Sequence, residues 1–454
     1  MYKVRYFHSS SSFSKTYPSA GEDHKRHRRI MNPAFGAPEA KALVPVFSEA
    51  ASVLTNKWKD LLSLSQDEAE GQVFDMTKWV SRATLDAIGH AGFDYNFGAM
   101  QNQDNRLANV YHNLFADMFA APSDKALIRG HLTSFIPIGM MSRLLEYLSK
   151  SDPRLARGRE SREVAREVAS ELVREKSKVV AESGSSRRDV MSLLVKANMA
   201  SQSEKNRLSE EELYAQMLVM FIAGHETTAN SLSWSLLELA RHPQVQDRLR
   251  KEIHDKERQI ASEGRSGSGF TAADLDSLPY LNAVLKESMR YHAVAIRLAK
   301  MAYADDCLPL SEGIKMTSGK EINEIPVRKG QKVLISIAAY NRSKEVFGED
   351  AHVFRPERWL ENDSAESQKG VGTSVGVFAN LLTFSGGVRS CIGWRFAVLE
   401  LQTFLVELVG NFEFSTTPEC DNIRREACAV MVPTIEGEVE KGGQCPLKVR
   451  CVRE

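Results

Sequence analysis

FSGGVRSCIG, Phe384 to Gly393, sets Cys391 inside glycine-rich backbone with Arg389 two residues before it and an apolar helical pattern after it. A thiol so placed can be packing, half of a disulfide, a nucleophile or a metal ligand. WRFAVLELQTFLVELVG, from Trp394 to Gly410, has helical periodicity, so Cys391 sits just ahead of a helix N-terminus. Free backbone N–H groups and the helix dipole favour a thiolate there. Packing is the commoner state of a lone cysteine, but Gly386 and Gly393 mark close backbone approach at two fixed offsets around this one. No histidine stands in a local signature for a cysteine nucleophile.

A second stretch, AGHETTA (Ala223 to Ala229), interrupts an otherwise apolar helical run with a glycine, an acid and two β-branched hydroxyls. Each is a poorer choice than Ala or Leu for a buried helix interior. Ala223 and Thr227 are i and i+4, so they share a face with no bulky side chain between them. That face suits either a tight helix crossing or a flat ligand lying against it, with Glu226 and Thr227 delivering protons beside the ligand. In KESMRYH, Glu287 and Arg290 stand i and i+3 on a helix running from about Asp274, and FRPERWL supplies Arg358. A buried Glu between two arginines forms a satisfied triad.

The elements that must hold these residues are mostly helical. Amphipathic segments run from about residue 37 to 292, among them EAKALVPVFSEAASVLTNKWKDLL and the charge-laced RGRESREVAREVASELVREKSKVVA, which reads as a solvated surface helix. Ser209 and Glu212 in capping-box spacing and Pro243 bound one helix of about 30 residues, roughly 48 Å long, across the centre of the molecule. Strand-like runs, KVLISIAAY and CLPLS, stand in the C-terminal half alone; SEGRSGSGFT and NDSAESQKGVGTSVG read as loops. The expected fold class is mainly α with a small β component, in one domain over residues 1–454. Lys plus Arg and Asp plus Glu balance at 59 each, so no global field calls for nucleic acid. Six sparse cysteines, without a CxxC pair, indicate a reducing compartment without a disulfide framework or zinc site. With no apolar run near the roughly 18 residues of a membrane span and no signal-peptide core, the chain as written reads as soluble and intracellular.

AGHETT, ESMR, FRPERW and FSGGVRSCIG, in this order, resemble the motifs of a cytochrome P-450, a haem-thiolate monooxygenase, over nearly the whole chain from Gly21 to Val449. The pattern FxxGxRxCxG, complete at Phe384, Gly387, Arg389, Cys391 and Gly393, is highly specific. Cysteine thiolate is the haem ligand of this family, pushing electron density that favours O–O cleavage. The resemblance implies the cytochrome P-450 fold, with its long central helix over haem b (iron protoporphyrin IX). It makes Cys391 the axial ligand, Phe384 the aromatic residue packed beside it, and Arg389 a partner of a haem propionate. Ala223 and Gly224 would then contact the distal face of the porphyrin, and Glu226 and Thr227 match the acid and alcohol pair that delivers protons. Glu287, Arg290 and Arg358 match a structural triad supporting the cysteine loop.

GEDHKRHRRIMNPAF resembles the family's helix C, with Arg28 as a propionate arginine and His24 where a tryptophan is usual. Taken alone, that basic run reads as a solvated face. Lys300 lies where an arginine often reaches a propionate, with Arg297 close by. Lys supplies the charge without the bidentate fork. The resemblance also implies an apolar organic substrate, O2, an NADPH-dependent flavoprotein reductase docking on the cysteine side, and a monomeric enzyme of the eukaryotic microsomal, fungal kind. Its relatives are anchored on the cytoplasmic face of the endoplasmic reticulum. They carry a membrane anchor, a first helix, initial strands and a pocket-capping loop ahead of helix C, where this chain has about twenty residues. It therefore reads either as a truncated sequence or as a shortened chain with a partly open haem pocket. A peroxide isomerase or dehydratase on the same scaffold, and a non-catalytic haem-binding chain, are the rival readings; the intact GHETT argues against the first.

Overall fold

The computed structural model describes residues 4–5, 21–64, 70–101, 128, 140, 153–183, 189–201, 207–265, 267, 269–360, 375–427 and 430–452. The expected loop at Asn362 to Gly376 lies outside them except for its last two residues, and so does the aromatic segment Asn109 to Pro122. In chain order the helices are α1 (Glu22–Met31), α2 (Ala37–Ala42), α3 (Val44–Ser63), α4 (Met76–Ile88), α5 (Pro153–Ser183), α6 (Val190–Met199), α7 (Glu210–Arg241), α8 (Pro243–Ser262), α9 (Ala272–Asp276), α10 (Pro279–Tyr291), α11 (Ile337–Tyr340), α12 (Lys344–Phe347) and α13 (Trp394–Asn411). The strands are β1 (Val4–Arg5), β2 (Gln72–Asp75), β3 (Arg297–Ala302), β4 (Asp306–Lys315), β5 (Glu321–Val327), β6 (Lys332–Ser336), β7 (Phe412–Thr416), β8 (Ile423–Ala427), β9 (Met431–Ile435) and β10 (Pro446–Cys451).

Small antiparallel sheets order as β1-β3-β6, β2-β10-β7, β4-β5 and β8-β9. Strands therefore occur in the N-terminal half too, against the expectation. Their pairing explains this: β2 is four residues long and is held by β10, almost four hundred residues later, with Phe74 opposite Leu447. Such a strand carries no local signal of its own. The helix expected from about Asp274 is two helices, because Pro279 starts α10 anew as an N-terminal proline. The segment 39–62 breaks at Leu43 for the same reason, Pro45 opening α3. KVLISIAAY leaves the strand at Ser336, whose hydroxyl accepts from the Ala339 N–H at 3.1 Å and caps a single helical turn.

The central helix α7 packs against α4, α5, α8, α10, α13, β7 and β9. Its capping box forms, with the Ser209 N–H donating to Glu212 Oε2 at 2.9 Å and the Glu212 N–H donating to Ser209 Oγ at 3.2 Å. Glu212 also fastens α1. Arg26 Nη2 donates to Glu212 Oε1 at 2.5 Å, and His27 Nε2 lies 3.0 Å from the same oxygen. Burial works against the Glu212 charge, but Arg26, the Ser209 N–H and His27 outweigh it and hold the carboxyl down at about 2. α5 is not solvated all round. Lys176 is buried and paired with Asp94 and Asp189, each at 3.2 Å, while Val164, Leu172 and Val173 enter the core.

The expected triad forms. Glu287 and Arg290 are fully buried and Arg358 nearly so. Arg290 grips Glu287 with both fork nitrogens, Nε to Oε2 at 2.8 Å and Nη2 to Oε1 at 2.7 Å. Arg358 Nε and the Arg355 N–H donate to Oε1, and Trp359 Nε1 to Oε2. A buried pair stripped of one partner leaves an uncompensated charge, so Glu287→Ala is expected to cost about 3–5 kcal/mol. Thermal unfolding checks this, and a melting temperature equal to the parent's would contradict the structural role of the triad.

Candidate active site

The loop ahead of α13 has almost no ladder hydrogen bonds and is held from outside. Arg290 Nη1, anchored by Glu287, donates to the Asn341 carbonyl at 3.0 Å. Asn341, fully buried, accepts from the Leu382 N–H at 3.0 Å and donates to Thr383 Oγ1 at 2.8 Å, while that hydroxyl donates to the Met289 carbonyl at 2.9 Å. The next carbonyl, Phe384, accepts from the Cys391 N–H at 2.9 Å. A continuous chain of polar contacts thus runs from the triad to the thiol. It also sustains three non-glycine residues in left-handed backbone, Ala379, Asn380 and Ser385, each costing on the order of 1 kcal/mol.

Cys391 is exposed, yet burial is the largest influence on its thiol. A side chain with accessible surface deep among protein atoms lines a cavity. Burial pushes this thiol up, while the Gly393 N–H and the Arg28 charge pull it back. The helix end therefore pulls on the sulfur as expected, but burial outweighs it. Gly386 is required by the protein itself, since a Cβ there would meet the Val375 carbonyl oxygen at 2.1 Å. Gly387, at φ +71°, has open space around it, and a Cβ on Gly393 would make only ordinary contact with Phe35 at 3.8 Å. Phe384 packs against Phe378, ring centroids 6.0 Å apart.

α1 reaches this loop directly: Arg28 Nη1 donates to the Ser390 carbonyl at 2.9 Å. His24, one turn earlier, is driven down to about 4 by burial and then by the charges of Arg389, Arg28 and His27. Two arginines from opposite ends of the chain thus flank one half-buried imidazole, a field that draws carboxylates. β3 divides the other pair. Arg297 and Lys300 are three residues apart in one strand, so they face opposite sides and at most one can join the cations. Both are held in the β3–β6 ladder, and among the described residues neither side chain has a hydrogen bond or an ion pair.

On α7, Ala223 is exposed although most residues around it are buried, and Thr227 shares its face. Thr227 Oγ1 donates to the Ala223 carbonyl at 2.5 Å. Gly224 has another reason to be glycine: a Cβ there would lie 2.8 Å from Ile88 Cδ1, so it brings α4 close and does not face the ligand side. Glu226 turns towards α4, 3.4 Å from Ser81 Oγ, with Asn230 Nδ2 donating to Oε2 at 3.1 Å. Ser81 and Glu400 escaped the sequence reading. Glu400 lies on α13, nine positions after Cys391, fully surrounded and bonded to Thr228, and burial pushes it up to about 8. It is a neutral acid linking the helix behind Cys391 to the helix that carries Thr227.

A cytochrome P-450 profile matches residues 4–440. The chain belongs to the cytochrome P-450 family. It is 36% identical over 439 residues to cytochrome P-450 monooxygenase 205 of Postia placenta, covering 95% of this chain and 76% of that protein. It is 32% identical to cytochrome P-450 monooxygenase claQ of Ampulloclitocybe clavipes, over 96% and 76% of the two chains. To a protein named ganoderic acid synthetase from Ganoderma lucidum it is 32% identical, over 92% and 75%. This P-450 is a haem-thiolate monooxygenase that acts on an organic substrate with O2 and electrons from a redox partner. The residues present fit a haem: a thiol facing a cavity, glycines beside it with room to spare, cations for carboxylates, and a bare helix face at Ala223. Among the described residues no helix is long and apolar enough to cross a membrane.

Glu400 supplies a pH test. Its folded-state pKa lies above the ordinary 4.5, so between about pH 4.5 and 8 the unfolded chain releases a proton that the folded chain keeps. Stability then falls as pH rises through that window. Glu400→Gln is expected to flatten this slope in melting temperatures taken across it; an unchanged slope would show that Glu400 is ionised in the fold.

Proposed function

We propose that Cys391 is the axial haem ligand of a fungal-type monooxygenase that hydroxylates or otherwise oxidises a small apolar molecule, in secondary metabolism or xenobiotic oxidation. The observation that carries this reading is the exposed Cys391 thiol just ahead of α13, with Arg28 Nη1 at 2.9 Å from the neighbouring Ser390 carbonyl. A haem held there supplies the electron-rich iron at which dioxygen is activated. Arg28, Arg389 and His24 hold its carboxylates, joined by Lys300 or Arg297 from β3. Phe384 shields the sulfur, and Gly387 and Gly393 leave room for the ring. Ala223 gives the ring's other side a flat floor and keeps bulk off Thr227.

Glu226 and Thr227 would hold and move protons beside a bound haem, Thr227 from the bare face of α7 and Glu226 from the α4 side. A dry, shaped pocket keeps protons from arriving by other routes. We take the chain to be one P-450 domain, monomeric, working inside the cell and fed by an NADPH-dependent flavoprotein reductase on the Cys391 side. The relatives' fungal sources and names support the fungal monooxygenase reading.

With NADPH and a fungal reductase, the purified chain is expected to consume O2 and oxygenate an apolar substrate, with ¹⁸O from O2 in the product. Thr227→Ala is expected to keep haem binding and NADPH consumption while product per NADPH falls on the order of tenfold or more. Unchanged coupling in that variant would remove Thr227 from proton delivery. Conversion of organic peroxides without reductase, and none with it, would point instead to a peroxide isomerase.

A further inference from the structure

Between α7 and α4 lies a side-chain cluster that the proposed chemistry uses only in part. Gly224 lets α4 close on α7 until a Cβ would meet Ile88, and two turns of α4 away this brings Ser81 against the next residue of α7, His225. His225 is buried. Its Nε2 lies 2.8 Å from the Ser81 carbonyl oxygen and 2.9 Å from Ser81 Oγ. Its Nδ1 lies 3.5 Å from Glu226 Oε1. Ser81 Oγ stands 3.4 Å from that same carboxylate oxygen. The other oxygen, Oε2, takes the Asn230 amide.

A carbonyl oxygen only accepts, so the hydrogen of the ring must sit on Nε2. A bare Nε2 would set one lone pair against another at 2.8 Å. That assignment decides what Nδ1 presents to Glu226. In a neutral ring it presents a lone pair, which a carboxylate repels and a carboxylic acid does not. In a charged ring it presents N–H, which a carboxylate attracts. Either way one proton belongs between the two groups.

We propose that His225 is the proton-holding partner of Glu226: with Nε2–H committed to the Ser81 carbonyl, Nδ1 shares one dissociable proton with Glu226 Oε1, within a small rotation of a hydrogen bond. The inference rests on the monooxygenase reading for its purpose and on the Ser81 geometry for its form. In the step itself the proton passes from Nδ1 to Oε1, or is already there, and leaves the pair when Glu226 delivers it towards Thr227. Neutral imidazole and carboxylate remain, with Nε2–H unmoved on Ser81. A proton from solvent restores the pair, and no electrons change hands. His225 is thus a positioning and charging residue, and Glu226 remains the acid that delivers.

The test has two arms. In the resting protein, with or without haem, ¹⁵N NMR of labelled imidazoles reports which ring nitrogen carries hydrogen, the His225 signals being those lost in His225→Gln. The expected result is a protonated Nε2, with an Nδ1 signal that moves strongly in Glu226→Gln because the shared proton is gone. In turnover, His225→Gln keeps an amide N–H for Ser81 but has no exchangeable ring proton. It is expected to retain the haem spectrum while product per NADPH falls about tenfold, less than removing a general acid outright, and the solvent deuterium isotope effect rises. A bare Nε2, an Nδ1 signal indifferent to Glu226→Gln, or unchanged coupling and isotope effect in His225→Gln would each overturn the proposal. Should the wild-type chain prove inactive with reductase, the monooxygenase reading fails alone, and the NMR arm still decides whether the pair holds its proton. If His225→Gln does not fold, the signals lost in His225→Asn identify the ring, and their response to Glu226→Gln decides by itself.

Discussion

The site depends on one buried carboxylate. Glu287 has no exposure to water and is satisfied by two arginines, a backbone N–H and the Trp359 indole. Through Arg290 it fixes the Asn341 carbonyl, and through the Asn341 side chain it fixes Leu382 and Thr383. From there a single backbone bond reaches Cys391. A loop that must hold three left-handed residues and aim a thiol into a cavity cannot hold itself. The cost of burying so many charges is offset only because every member is bonded, and the rigidity that results is what a metal ligand requires.

The second constraint is the conflict inside α7. A helix of 32 residues that threads the core ought to be apolar all round, yet its middle carries Gly224, His225, Glu226 and two threonines. The structure divides their duties by face. Ala223 and Thr227 line the open side; Gly224, His225 and Glu226 turn to α4; Thr228 turns to Glu400 on α13. Six consecutive residues therefore face the open side, the neighbouring helix and the helix behind Cys391 together. Substitution at any of these positions will be felt by the others, since they share one short stretch of backbone.

How much of this was legible depended on where the signal was stored. Glu287, Arg290 and the capping box of α7 are local patterns that the structure forms as the spacing implied, and Cys391 stands just ahead of α13 as its flanking pattern implied. Arg28 belonged to a basic run indistinguishable from a solvated face until its contact with Ser390, 362 positions later, was known. β2 was invisible because its partner β10 lies at the other end of the chain. Glu400 sat in the apolar run LELQTF, where the acid among hydrophobic residues was the unused clue. Ser81, in a plain amphipathic helix, offered none. Of the two glycines read as close approaches, Gly386 is one, to Val375, while Gly393 has ordinary room; Gly224, expected against a porphyrin, closes on Ile88 instead. Arg297 and Lys300 looked equivalent until the strand put them on opposite faces.

The central claim is that the Cys391 sulfur, as thiolate, binds the haem iron. The most direct measurement is the absorption spectrum of the reduced, CO-bound protein, in the parent and in Cys391→Ala. A far red-shifted Soret band in the parent, absent from the variant, is the predicted result. The same band persisting in Cys391→Ala would contradict the account.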